Sequence, residues 1–266
     1  MQDLVEGKLL NFFFHWIKKN MIISKIMNIL KDNIYCISLK DREDRRKNIL
    51  QNFPYRIHFF DAYDTRNSNI LLYKNLIDKK SWKQLEKTNR IKQRNYHHNL
   101  TNGAVGCFLS HIGILKKIIE NKQPYSLILE DDCECKIENI DEYLNYIMFH
   151  LPKDCDVLFL DYLTIRYTPE NSDIVNQEFI RPRNRYNFKL YLTNCLLITY
   201  EGAKKILDNY KNIKIQYDSF LCKLFRDDKI NIYLVKNKFF KQSNHVSDIQ
   251  NIGDVLYPRI FDYNKI

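Results

Sequence analysis

The sequence predicts an α/β fold, a single mostly parallel sheet flanked by helices, and three features point to it. Short apolar, β-branched runs alternate with longer stretches of helical periodicity. No Pro/Gly/Ser linker, repeat or low-complexity block divides the 266 residues, a length at the upper end for one domain and ample for a core. The most acidic run, Glu130-Asp131-Asp132, follows directly on an apolar strand pattern, at the edge where open α/β sheets take their ligands.

The elements follow in order. Asn33 to Leu39 reads as a strand, and the charged stretch Asp41 to Gln51 as a helix. Arg56 to Phe60 is a second strand that ends in Asp61-Ala62-Tyr63-Asp64. Residues 65–100 are polar and basic, with short helices expected around Leu71–Ile77 and Trp82–Thr88. From Gly103 to Asn121, Val105, Phe108, Leu109, Ile112, Leu115 and Ile119 recur at helical spacing. Tyr125 to Leu129 is a buried-strand pattern, Ile140 to Phe149 a helix, and Asp156 to Leu160 another buried strand. A strand at Leu190–Thr199, helices at Glu201–Tyr210 and Asp218–Arg226, and a strand at Ile230–Val235 complete the series. Residues 1–30 form an apolar extension, and residues 31–266 the domain.

In that extension, neither Leu9 to Ile17 nor Met21 to Leu30 reaches the ~20 apolar residues of a spanning helix. No basic region precedes the apolar run as in a signal peptide. A helix packed on the domain, or translation beginning at Met21 or Met27, is favoured over an amphipathic membrane helix carrying Trp16 and the Phe cluster. An odd count of seven cysteines, with no partner spacing for Cys133-x-Cys135, fits reduced thiols in a cytoplasmic protein.

Composition narrows the chemistry. Hydrophobic residues at 45% exclude a disordered chain. The net charge of +10 predicts an anionic partner. The six glycines cannot spell either Gly-rich phosphate loop, so a bound nucleotide needs another device. Three adjacent acids repel one another unless a cation sits among them. In extended backbone Glu130 and Asp132 would share one face and Asp131 the other. An acid-x-acid pair suits a hard divalent ion, Mn²⁺ or Mg²⁺; a solvated acidic turn is the plain alternative. Arginines after the first strand, Arg42, Arg45 and Arg46, suit phosphate or a solvated helix face. Gly103 to His111 opens a helix whose first N–H groups could meet an anion, while His111 could equally be an interior histidine.

Taken in order, several motifs resemble glycosyltransferase family 25, which includes lipooligosaccharide and collagen galactosyltransferases. They are Ile37-Ser38-Leu39-x-x-Arg42-x-x-Arg45-Arg46, Phe60-Asp61-Ala62-Tyr63-Asp64, Gly106-Cys107-Phe108-Leu109-Ser110-His111, Leu127 to Asp132, Leu196 to Leu207 and Asp218-Ser219-Phe220-Leu221. Each is weak alone; the ordered set is specific. The resemblance implies a GT-A type fold, a Mn²⁺ (or Mg²⁺) site, and a UDP-sugar donor, UDP-galactose first. It also implies an inverting displacement onto a lipid- or protein-linked glycan acceptor, such as lipopolysaccharide, lipooligosaccharide or a protein-linked sugar, or onto hydroxylysine. It places Ser38, Leu39, Arg42, Arg45, Asp61, Ser110, His111, Glu130 and Asp131 around the donor. Asp132, Glu130 and His245 would hold the metal, and Asp218 would serve as general base or acceptor-orienting acid, although Asp is also a common helix N-cap. Ala104 stands where the family usually carries an acid, and Thr193-Asn194-Cys195 replaces a small-residue and aromatic run.

The acceptor is expected at the basic segment Lys74–His98, with Arg181 to Arg185 as a second candidate, and Tyr73, Trp82 and Tyr96 could stack on sugars. Peripheral contact with the inner face of a membrane is compatible with that segment. Rival readings are a basic metal-dependent nuclease or nucleic-acid-binding protein, and a nucleotide-sugar-binding relative without turnover. No nucleic-acid-binding signature is present, so nucleic acid is not the expected partner.

Overall fold

The computed structural model describes residues 30–94, 96, 98–164, 172–182 and 189–243. The extension before Leu30, residues 183–188 and His245 lie outside the described residues.

The chain runs β1 (Ile34–Ser38), α1 (Glu43–Asn52), β2 (His58–Asp61), a 3-10 helix (Asn67–Leu76), α2 (Lys79–Ile91) and α3 (Asn102–Glu120). Next come β3 (Tyr125–Glu130), β4 (Cys133–Cys135), α4 (Ile140–His150), β5 (Val157–Phe159), β6 (Leu163–Thr164), β7 (Ser172–Ile174) and β8 (Phe179–Pro182). Last are β9 (Leu190–Tyr191), β10 (Cys195–Thr199), α5 (Tyr200–Asn209), α6 (Tyr217–Arg226), β11 (Ile232–Val235) and β12 (Phe240–Gln242).

Eight strands form one sheet in the order β2-β1-β3-β10-β5-β11-β8-β7, giving the predicted α/β architecture. Pairing is parallel for β1 with β2 and β3, and for β5 with β11. It is antiparallel where β10 enters between β3 and β5, and along β11-β8-β7. Alternation along the strands sorts the core into two layers. Ile37, Ile128, Phe159 and Leu196 face α3, α5 and α6, with Trp82 and Leu85 of α2 in the same layer. Cys36, Leu127, Leu129 and Leu197 face Ile49 of α1 and Leu144 of α4.

Three elements depart from the sequence reading. The strand expected over 190–199 is interrupted, because Leu192 adopts φ 75° and turns the chain between β9 and β10. The short helices expected around Leu71–Ile77 and Trp82–Thr88 are present but longer, as a ten-residue 3-10 helix and the 13-residue α2, which Asp78 caps through the N–H groups of Lys80 and Ser81. Short strands β4 and β12 pair with each other, Cys133 with Gln242 and Cys135 with Phe240. That pairing brings the end of the described chain onto the acidic run.

Candidate active site

A cleft opens at the carboxyl ends of β1 and β3. Ser38, Leu39 and Arg45 form one wall, Ala62 to Arg66 a second, Gly103, Gly106 and Cys107 of α3 a third, and the three acids the floor. The α3 wall fits closely. Thr101 caps the helix by accepting from the Ala104 N–H at 3.1 Å, and Thr65 Oγ1 donates to the Asn102 carbonyl at 2.6 Å. A Cβ on Gly106 would stand 2.5 Å from the Tyr63 carbonyl oxygen, so only glycine lets the 62–66 loop lie against the helix.

The acids do not alternate as an extended strand would require. β3 ends at Glu130 and the chain turns before β4, so each carboxylate takes its own direction. Glu130 Oε1 accepts from Thr193 Oγ1 at 2.6 Å and lies 3.1 Å from His111 Nε2 and 3.8 Å from Cys107 Sγ. Burial pushes its pKa up, but these neighbours, His111 foremost, hold it below the ordinary value. Asp131 accepts from Arg45 Nη1 at 2.9 Å; burial raises its pKa more than that arginine lowers it. Asp132 Oδ2 accepts from Gln242 Nε2 at 2.7 Å, whereas its buried Oδ1 has no partner. Burial first, then the Glu130 charge, pushes the Asp132 carboxyl up to about 7. The Asp132 carbonyl accepts from the Ser243 N–H at 2.7 Å, and Ser243 Oγ is a second buried oxygen without a partner.

Other expected donor residues are divided. Ser38, Leu39, Arg45, Glu130 and Asp131 line the cleft. Arg42 does not: as the N-cap residue of α1 it folds forward onto Asp44 in the first turn, with contacts of 3.1 Å. Asp61 is exposed and pairs with Arg46, which also donates to the Ser38 carbonyl at 3.0 Å. Ser110 is buried; its hydroxyl donates to the Gly106 carbonyl and accepts from the Tyr63 N–H at 3.0 Å, tying the loop to α3. His111 is fully buried and stacks on Tyr217 of α6, ring centroids 4.2 Å apart, so it supports Glu130 from behind the cleft.

Asp218 lies in the first turn of α6 and is not its N-cap, a position held by Gln216. It is half-buried and does not line the cleft, though its charge is felt by Cys107 and Glu130. Burial pushes its carboxyl up to about 6, against the opposing Ser219 N–H. Ala104, in the first turn of α3, is buried and does not line the cleft. Trp82 is a core residue, and Tyr73 is half-buried against Tyr63, so of the three aromatics assigned to sugar stacking only Tyr96 is exposed.

Among the described residues one group of three side chains could hold a metal, and Asp132 stands outside it. Asp132 Oδ1 is a buried carboxylate oxygen with an open valence. Cys107, His111 and Glu130 bring three ligand atoms within 4.8 Å of one another, but there the Glu130 oxygen already accepts from Thr193. A hard cation fits Asp132, whose unpartnered charge it would offset. Sequence reasoning passed over Thr193, Gln242, Tyr63 and Arg66, which secure the acids or line the cleft. Arg66 pairs with Asp64 and Asp41, each at 2.8 Å. Tyr63 and Thr193 stand in segments compared with the family but without a role of their own there, and Gln242 and Arg66 are single polar residues in a short strand and a loop, without a pattern to mark them.

Against known proteins, the family model described as glycosyltransferase family 25 (LPS biosynthesis protein) matches residues 31–221. The chain belongs to glycosyltransferase family 25. Those family 25 residues include the whole acid cluster and Asp218, and stop short of His245. A procollagen lysyl hydroxylase and glycosyltransferase of Acanthamoeba polyphaga mimivirus is 27% identical over 84% of this chain and 26% of its own. Procollagen galactosyltransferase 2 of Mus musculus is 26% identical over 66% of this chain and 27% of its own. The chain thus spans about a quarter of these relatives' length. A putative glycosyltransferase of Haemophilus influenzae is 28% identical over 77% of this chain and 69% of its own.

Proposed function

We propose that this family 25 chain is a divalent-cation-dependent hexosyltransferase that takes UDP-galactose as donor and a glycan hydroxyl as acceptor, with inversion at the anomeric carbon. The observation that carries the reading is the unpartnered, buried Asp132 Oδ1 on the floor of a cleft at the sheet's ligand edge. The nucleotide would enter between the Ser38-Leu39 wall and the Tyr63 loop, where Tyr63 offers a ring face. Asp132, with Glu130 beside it, would hold Mn²⁺ or Mg²⁺. Bound there, the cation supplies charge stabilisation for the departing diphosphate.

The chain's own residues supply the rest. Arg45 holds the Asp131 carboxylate at the cleft wall. His111 and Thr193 keep Glu130 ionised and aimed. Asp218 accepts the acceptor hydroxyl's proton as its oxygen bonds to the anomeric carbon. The sugar–phosphate C–O bond breaks, its electron pair leaves on the diphosphate, and the configuration inverts. The galactosyl donor is favoured over other hexoses by what the mouse relative's name states of that protein. A lipid-linked saccharide is favoured as acceptor by the family description.

The test is donor turnover with UDP-galactose, UDP-glucose and UDP-N-acetylglucosamine, with Mn²⁺, with Mg²⁺ and with chelator. Galactose-selective, cation-dependent turnover is expected, and Asp132→Ala abolishes it. Turnover that survives chelation, or no nucleotide-sugar binding at all, overturns the proposal.

A further inference from the structure

The most exposed large apolar side chain among the described residues is Leu72, 78% exposed, and beside it Leu71 is 60% exposed. Both sit on the 3-10 helix, whose inner side is fixed by buried Ile70 and by Tyr73, edge-on to Tyr63 at 5.8 Å. Leu76, at the end of the same helix, is 43% exposed. Three leucines turned to water on a ten-residue element are unusual, because water-facing apolar groups gain free energy wherever a partner removes them from solvent.

The charge around them is equally one-sided. Residues 67–92 hold seven cations against two acids, half of the chain's net +10. One of those acids, Asp78, is committed to capping α2. α2 buries Trp82, Leu85 and Thr88 and exposes Lys79, Lys80, Lys83 and Lys87. Lys74 lies over the Trp82 ring at 5.2 Å, joining the 3-10 helix to the basic face.

We propose that the 3-10 helix and the exposed face of α2 form a docking surface for an anionic lipid bilayer. Leu71, Leu72 and Leu76 enter the headgroup–acyl boundary while the lysines meet the headgroup phosphates. The pairing of bare leucines with a lysine face selects this partner. A nucleic acid would meet the lysines but gain little from aliphatic side chains, since bases need aromatic faces. Among the described residues no helix is long and apolar enough to cross a membrane. Tyr63 lines the cleft and packs on Tyr73, so the surface adjoins the cleft mouth. The lipid contact itself does not depend on the transfer chemistry.

Co-sedimentation of the full chain with vesicles tests this, using phosphatidylcholine alone and phosphatidylcholine with about 30% phosphatidylglycerol. Binding is expected only to the anionic vesicles, and high salt should weaken it. Leu71→Asp with Leu72→Asp, and separately Lys79→Glu with Lys83→Glu, should each weaken binding by about tenfold or more. Melting temperature and UDP-sugar affinity should stay at the parent values in both variants. No vesicle binding by the parent chain, or equal binding to both vesicle types, overturns the proposal. So does unchanged binding of both variants, which would assign the contact to another segment such as the apolar run 9–17. A parent dimer that the leucine variant dissociates would give the patch to a second copy and also overturn it.

Discussion

Asp132 is the residue on which the chemistry turns, because its two oxygens live in different circumstances. Oδ2 has Gln242; Oδ1 is buried with nothing to accept from. An unpartnered buried carboxylate is costly, and its neutral isostere escapes much of that cost. We therefore predict that Asp132→Asn raises stability in the absence of divalent ions by roughly 1 kcal/mol, while cation-dependent donor turnover is lost. Thermal melting with and without Mn²⁺ separates the two effects: the parent should gain melting temperature with Mn²⁺ and the variant should not. Asp218 makes the pH prediction. Its carboxyl is raised to about 6 in the fold, so turnover should climb as pH rises through 6 and the base is released from its proton. The sign for stability is opposite. Between the ordinary carboxyl value near ~4 and about 6 the folded chain keeps a proton that the unfolded chain has lost, so stability falls as pH rises across that window. Asp218→Asn should remove both the climb in turnover and this part of the stability slope. A pH–rate profile unchanged by the substitution would take Asp218 out of the base role.

Among the elements, two glycines mark where helices touch the sheet and its loops without space to spare. A Cβ on Gly106 would meet the Tyr63 carbonyl oxygen at 2.5 Å, and one on Gly202 the Asp156 carbonyl oxygen at 2.2 Å. Neither obstacle is a side chain that can swing away. Alanine at either position should cost about 1–3 kcal/mol, beyond anything helix propensity returns. Only Gly106→Ala should also weaken donor binding, because Tyr63 and Thr65 are cleft walls and Asp156 is not. Chemical denaturation and UDP titration of both variants check this contrast. The long elements were legible in the sequence because they carry their own period: α3 by its apolar spacing, β1 and β3 by apolar runs that end in polar residues. β4, β6 and β12 span two or three residues, too short for any period, and exist through partners far along the chain. The same reason divides the site. The acid cluster could be read from the strand that runs into it. The direction of each acid could not, since it depends on Arg45, Thr193 and Gln242, which approach from three other segments.

Across the whole molecule, the excess positive charge and the chemistry occupy separate regions. The cleft gathers four acids, Asp64 and Glu130 to Asp132, and its arginines are committed to carboxylates, Arg45 to Asp131 and Arg66 to Asp64 and Asp41. Half of the net +10 lies instead on the 67–92 segment, whose exposed lysines are absent from the cleft lining. Exposed charges act weakly through water at physiological salt, so reversing lysines that do not line the cleft should leave the donor's affinity nearly unchanged. We predict that Lys79→Glu with Lys83→Glu keeps the KM for UDP-galactose within about twofold. Retention on a polyanion column should meanwhile fall sharply, because that interaction scales with the number of cations presented together. A KM raised by about tenfold or more would place the basic face in the donor site, and would return the charge to the chemistry.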